Sequence, residues 1–141
     1  MGRLKFAALL LASLISSGCA SGLNSFQQQE YAAMQSSNLI VEEKDPSTGA
    51  WLGLLPGGGS FYARHPGYGI ANLLFWPLSI LWDPVSGYEG SKVINYNVSV
   101  HKIKKDKQKE LILVENKHIA GEIDSTQYMQ QKRIIEAKYD F

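Results

Sequence analysis

The hydrophobic and polar positions of this chain fall into long blocks rather than one even amphipathic pattern. The dominant block is 49–85. Residues 46–63 and 65–82 carry no formal charge with His65 neutral, and Arg64 is the single charged break between them. Asp45-Pro46 predicts a helix start, with Asp as N-cap and Pro at the first helical position. The first run holds Trp51, Leu52, Leu54 and Leu55 and breaks at Pro56-Gly57-Gly58-Gly59. Glycine inside a helix costs about 1 kcal/mol relative to alanine, so these three suit a turn or close backbone approach. Phe61 and Tyr62 resume the apolar pattern, and Arg64-His65-Pro66-Gly67 reads as a polar loop. The second run spans 69–82 and is richer in Leu, Ile, Phe and Trp. Pro77 predicts a kink in it, and Asp83-Pro84 closes it.

The flanking blocks are polar. Residues 26–34 (FQQQEYAAM) predict a short helix, ended by Ser36-Ser37-Asn38. Residues 39–41 suit a short strand or an extended link. Ser86-Gly87-Tyr88-Glu89-Gly90 reads as a loop. Residues 92–100 (KVINYNVSV) alternate as a strand would. They also place Val93, Tyr96, Val100 and Ile103 on one helical stripe. No turn residue separates this segment from Leu111, which favours one continuous helix. Leu111, Val114 and His118 share a face, and Gly121 predicts the helix end. Asp124 with Gln127 three residues on forms a capping-box signal, followed by Tyr128, Lys132, Ile135 and Tyr139 at helical spacing. The expected fold is mainly α, with a short apolar helical hairpin followed by a charged helical hairpin tail and little or no β.

The first residues change the picture. Arg3 and Lys5 precede an apolar core at 6–15, too short for a spanning helix of roughly 20 residues. Cys19, the single cysteine, excludes an internal disulfide and any Cys-based metal site within one chain. Ser16-Ser17-Gly18-Cys19 resembles the lipobox of bacterial lipoprotein signals, with Ser16 where the pattern prefers Leu. The resemblance implies cleavage before Cys19 and acylation of its thiol and new N-terminus. Ala20, in place of the Asp that retains Gram-negative lipoproteins in the inner membrane, implies the outer membrane, with the inner membrane left open. The expected organisation is 1–18 signal peptide, 19–44 tether and short helix, 45–85 apolar hairpin and 86–141 charged tail.

Gly53, Gly57-Gly58-Gly59, Phe61-Tyr62 before Arg64, Gly69 and Asp83 together resemble the TM2 domain family, a two-helix membrane hairpin. Pro56 and Pro77 depart from it. The resemblance implies that Gly57, Gly58, Gly59 and Arg64 form the hairpin turn and packing surface, and that Asp83 ends the second helix. Gly121-Glu122-Ile123 followed by Tyr128 and Lys132 resembles the SHOCT-type helical module over 110–139, which implies interaction or oligomerisation. Two readings of 49–85 remain. As a bilayer hairpin, each 18-residue run would extend about 27 Å against a core of about 30 Å. Tyr62, Tyr68 and the three tryptophans would then sit at interfaces and Arg64 and Asp83 at the water edges. As a soluble core, the runs would pack as a helical pair in a small periplasmic domain. The chain has few other apolar residues to cover them, which favours lipid or an oligomer.

Charge and candidate chemistry narrow the function. Formal net charge is +1, and becomes −1 once Arg3 and Lys5 leave with the leader, so no nucleic-acid partner is implied. Lys102, Lys104, Lys105, Lys107 and Lys109 suit an anionic surface, although a solvated helix face is the commoner use of such a run. His65, His101 and His118 lack metal-ligand spacing. Gly57-Gly58-Gly59-Ser60 lacks the Gly-Lys-Ser/Thr of a phosphate loop. No catalytic residue and no cofactor are expected. The reading is a lipid-anchored envelope protein facing the periplasm, structural or adaptor-like. Its partners are membrane lipid through acylated Cys19, a second copy, or an envelope protein. The alternative is an oligomeric transport or pore accessory packed through its glycine-rich hairpin, and an envelope enzyme using His65 and Asp83 is a third class.

Overall fold

Short-range capping signals place most helix ends in the computed structural model, which describes residues 22–140. Helix α1 is Ser25–Ser36, α2 Pro46–Leu52, α3 Gly58–Tyr62 and α4 Pro66–Leu74. A 3-10 turn at Leu78–Leu81 leads to α5, Asp83–Ile119, and α6 is Ser125–Lys138. The described residues form no strand, so the fold is mainly α. Residues 1–18, expected as a signal peptide, and Cys19 lie outside them.

Asn24 and Gln27 open α1 with reciprocal side-chain to backbone bonds of 2.9 and 3.1 Å. Asp45 caps α2, accepting from the Ser47 N–H at 2.9 Å and the Thr48 hydroxyl at 2.7 Å. These bonds, the Thr48 hydroxyl foremost, hold the Asp45 carboxyl below its usual range. Asp124 and Gln127 form the expected capping box of α6. At the end of α5, Gly121 has φ +74°, its N–H bonds to the His118 carbonyl, and the Glu122 N–H reaches back to Lys117. That pair of bonds is a Schellman motif, which needs the left-handed residue glycine supplies.

The stretch 49–85 is helical in four short pieces. Pro56-Gly57, His65-Pro66 and Pro77 each interrupt the ladder of backbone bonds, and the Trp76-Pro77 peptide is cis. The longest piece, α4, has nine residues and extends only about 14 Å. Among the described residues no helix is long and apolar enough to cross a membrane.

Two sequence expectations are corrected. Ser86-Gly87-Tyr88-Glu89-Gly90 is helical, within the 37 residues of α5. Its glycines serve close packing, described below, rather than a turn. Asp83-Pro84 opens α5 instead of merely closing the apolar run, the same Asp-Pro signal that starts α2. Residues 92–100 are helical too, and residues 39–41 form an extended link.

The described residues divide into two units, 22–28 with 42–95, and 29–41 with 96–140. The second unit has an ordinary apolar core of Met34, Ile103, Val114, Ile135 and Tyr139. Within it the C-terminal part of α5 and α6 form an antiparallel pair. Glu110 accepts from Lys138 Nζ at 2.7 Å and the Tyr139 hydroxyl at 2.8 Å, while His118 stacks on Tyr128 at 5.0 Å. The extended link joins through the Val41 N–H to Ser99 Oγ, 2.8 Å. Tyr96 donates to Glu30 at 2.5 Å, and that bond pushes its pKa up to about 12.

Two outcomes follow from these contacts. Gly121→Ala places a side chain in the left-handed region and should destabilise the chain by about 1 kcal/mol, read by chemical denaturation, with Gly121→Asn costing less. The Lys138 and Tyr139 bonds hold Glu110 below its usual value of 4.5, so its contribution is full above that value and fades as pH falls through the lowered one. Lys138 is raised above 10.5 by the same pair, so its share is full below that value and fades only as pH rises through the raised one. The Tm advantage of wild type over Glu110→Gln should therefore be present at neutral pH and vanish in acid. Both side chains are partly exposed, so it should also shrink in high salt.

Candidate functional site

The first unit reverses the usual arrangement of polar and apolar residues. Its buried polar side chains are Asp83, Ser60, Ser79, Ser91 and Asn95, all at 0% exposure, Ser86 at 1% and Asn72 at 3%, beside the apolar Ala63 at 1% and Leu23 at 5%. Its large apolar residues face outward, with Trp51 73%, Leu74 77% and Leu81 79% exposed.

Asp83 stands at the centre. One carboxylate oxygen accepts from the Gly59 N–H at 3.0 Å. The other accepts from the Ser60 N–H at 3.0 Å, the Ser60 hydroxyl at 2.5 Å and Asn72 Nδ2 at 2.7 Å. Asn72 also donates to Ser60 Oγ at 2.9 Å and accepts from Trp82 Nε1 at 2.8 Å. Gly57, the residue before α3, has no side chain to cap it. Asp83 supplies the cap from 24 residues away and satisfies donors that the short helix leaves free. A buried carboxylate survives only with such donors, because an unpaired one would cost several kcal/mol.

Helix α5 presents Asp83, Gly87, Ser91 and Asn95 at four-residue spacing, so a small and polar stripe runs along it. The chain from 43 to 59 follows this stripe in the opposite direction. Asn95 accepts from the N–H groups of Glu43 and Lys44 at 2.9 and 2.8 Å and donates to the Lys44 carbonyl at 2.7 Å. Gly49 lies against the Gly87 backbone, where a Cβ on either would strike the other's carbonyl. Gly53 lies likewise on the Asp83-Pro84 backbone, and Gly59 on the Asp83 carbonyl.

The residues expected to form the hairpin turn therefore have different duties. Gly57 adopts φ +70° and abuts the Gly69 carbonyl, Gly58 abuts the Leu52 carbonyl, and Gly59 meets Asp83. All three pack within their own unit. Arg64, at φ 62°, pairs with Glu43 and keeps its side chain 61% exposed. Asp83, expected at a water edge, is instead fully buried, because the donors of α3 and α4 converge on it. His65 packs edge-on to Tyr68, and Asp83 bonds to Gly59, Ser60 and Asn72. Cys19 lies outside the described residues.

Ser60, Asn72 and Trp82 escaped the sequence reading as a set. The available signal was the isolation of Asn72 and Ser60 as hydrogen-bonding residues inside uncharged runs. Nothing in their spacing pairs them with Asp83.

The charged groups of this unit gather together. Lys44 Nζ lies 4.3 Å from the Tyr62 ring centroid, and the Asp45 N–H donates to the Tyr62 hydroxyl at 3.1 Å. Glu43 joins this group through Arg64, and Gly90 of α5 lies against Ala63 and His65. Glu89 pairs with Lys92 at 3.6 Å, beside Gly90. The segments 51–58 and 69–82 carry no formal charge.

The reversed arrangement predicts reversed mutational sensitivity. Asp83→Ala strands buried donors of Gly59, Ser60 and Asn72 and should cost at least about 3 kcal/mol. Leu81→Ala, on the exposed apolar face, should change stability in mild detergent by under about 0.5 kcal/mol. Denaturation of both variants in one detergent checks the contrast.

In comparisons with known proteins, no family model, no characterised protein and no solved structure matched the chain, so the lipobox, TM2-like and SHOCT-like resemblances rest on their residues alone.

Proposed function

We propose that this is a lipid-anchored protein of the bacterial cell envelope with a structural or adaptor role at a membrane and no catalytic activity. The observation that carries the reading is the first unit's apolar exterior over a polar interior. Contiguous exposed apolar surface of this kind marks contact with a membrane or another protein. The lipobox resemblance supplies the anchor at Cys19, and two or three acyl chains there would hold the protein lastingly. Ala20 favours the outer membrane, with the body facing the periplasm. The second unit, with its apolar core and charged exterior, is the part suited to aqueous partners. The pore or transport alternative is less favoured because Gly57, Gly58 and Gly59 are packed by their own unit.

Metabolic labelling with palmitate tests the anchor. The wild-type chain should take up label and lose residues 1–18, and Cys19→Ser should abolish both. An unlabelled wild-type chain would reject the reading. A photo-cross-linker at Ile119, 77% exposed in the second unit, should give a discrete adduct with one envelope protein. Adducts only with lipid or none at all would count against an adaptor role.

A further inference from the structure

We propose that the first unit is a monotopic membrane module, its charge-free end immersed among the acyl chains of the one leaflet that carries the Cys19 anchor. The inference rests on the anchored reading above and adds what covers the apolar surface.

Polarity within the unit is the first argument. Arg64, Glu43, Lys44, Glu89 and Lys92 are drawn to one end by the contacts around Tyr62, Ala63 and Gly90. The opposite end exposes Trp51, Leu55, Leu74, Phe75, Leu78 and Leu81 with no formal charge among them. The one acid near that end, Asp83, is sealed inside with its donors. A charged rim and a charge-free body match headgroups and hydrocarbon.

Backbone bonding is the second. Lipid offers no hydrogen bonds, so irregular segments immersed in it need internal partners. The N–H groups of Leu54 and Leu55 bond to the carbonyls of Trp51 and Leu52, and those of Phe75, Leu78 and Ile80 to Ala71, Phe75 and Pro77. The turns at the charge-free end are thus closed on themselves.

The contact of Gly22 with Glu89 is the third. Gly22 packs on the Glu89 side chain, where an added Cβ would lie 2.7 Å from Oε2. Cys19 is three residues upstream, within about 10 Å of extended chain. A tether this short would bring acyl chains on Cys19 into the same leaflet as the apolar body.

All three tryptophans, Trp51, Trp76 and Trp82, belong to this unit, so tryptophan fluorescence of the full chain reports it alone. The mature acylated protein is reconstituted in phosphatidylethanolamine–phosphatidylglycerol vesicles with bromine at mid-chain or near the carbonyl. Lipid bromine should quench Trp51 and Trp76, identified by Trp51→Phe and Trp76→Phe, while aqueous iodide should not. Iodide quenching without bromine quenching would overturn the proposal. So would shielding from both, which would mean that a second copy covers the face. In either case vesicle-bound, palmitate-labelled protein would leave the anchored reading standing. Conversely, if Cys19 carries no lipid, flotation of the unacylated Cys19→Ser chain, made without residues 1–18, still decides immersion. It should float with vesicles, and Leu74→Glu with Leu81→Glu should cut binding by roughly tenfold or more. Failure of the Cys19→Ser chain to float would overturn immersion alone.

Discussion

The buried Asp83 carboxylate is the interaction on which the first unit depends. It gathers the start of α3, Asn72 of α4 and, through Asn72, the Trp82 indole into one hydrogen-bonded group. None of these short helices has the length to be stable alone, since isolated helices below about 12 residues are marginal in water. Their order comes from shared polar contacts and from glycines that let backbones touch. Gly49 on Gly87 and Gly53 on Pro84 leave no room for a side chain. The stripe of Asp83, Gly87, Ser91 and Asn95 along α5 is the rail on which the unit is assembled.

Such a construction has a consequence for environment. In water, burial of apolar surface drives folding at about 25 cal/mol per Å². Here the leucines, phenylalanines and tryptophans of 49–85 are mostly outside, so the fold itself leaves much of that term unused. It is recovered only when an apolar medium covers them. Polar groups with internal partners are worth most in a surrounding of low dielectric, where an unpaired one is costly. Both features suit the membrane placement proposed above.

The second unit follows the opposite rule. Val114 and Ile135 pack inward across an antiparallel helix pair, the lysines of α5 remain at its surface, and Glu110 clasps Lys138 and Tyr139. One chain thus carries two interiors of opposite character. α5 contributes to both, with polar Asn95 buried in one and Ile103 in the other.

Local chemistry was legible in the sequence. Asp45-Pro46, the Asp124–Gln127 box and Gly121 name helix ends because each acts within four residues of its partner. The charge-free character of 46–63 and 65–82 is composition and needs no fold. The helical state of 92–100 was suggested by continuity, although its alternation equally suited a strand. Tertiary structure alone decided which side of these elements faces in. Periodicity assigns the interior to apolar residues, and in the first unit that assignment is inverted. Asn95, a polar member of the apparent strand pattern, is fully buried there, and Ser99 of the second unit is buried as well. Asp83 could be placed inside only by knowing that the Gly59 and Ser60 N–H groups, more than twenty residues earlier, converge on it. Likewise Gly87 and Gly90 read as a loop until Gly49 and Ala63 are seen against them. Hydrogen bonds and close contacts between distant residues leave no periodic mark in a chain, so this inverted interior is a property of the folded unit.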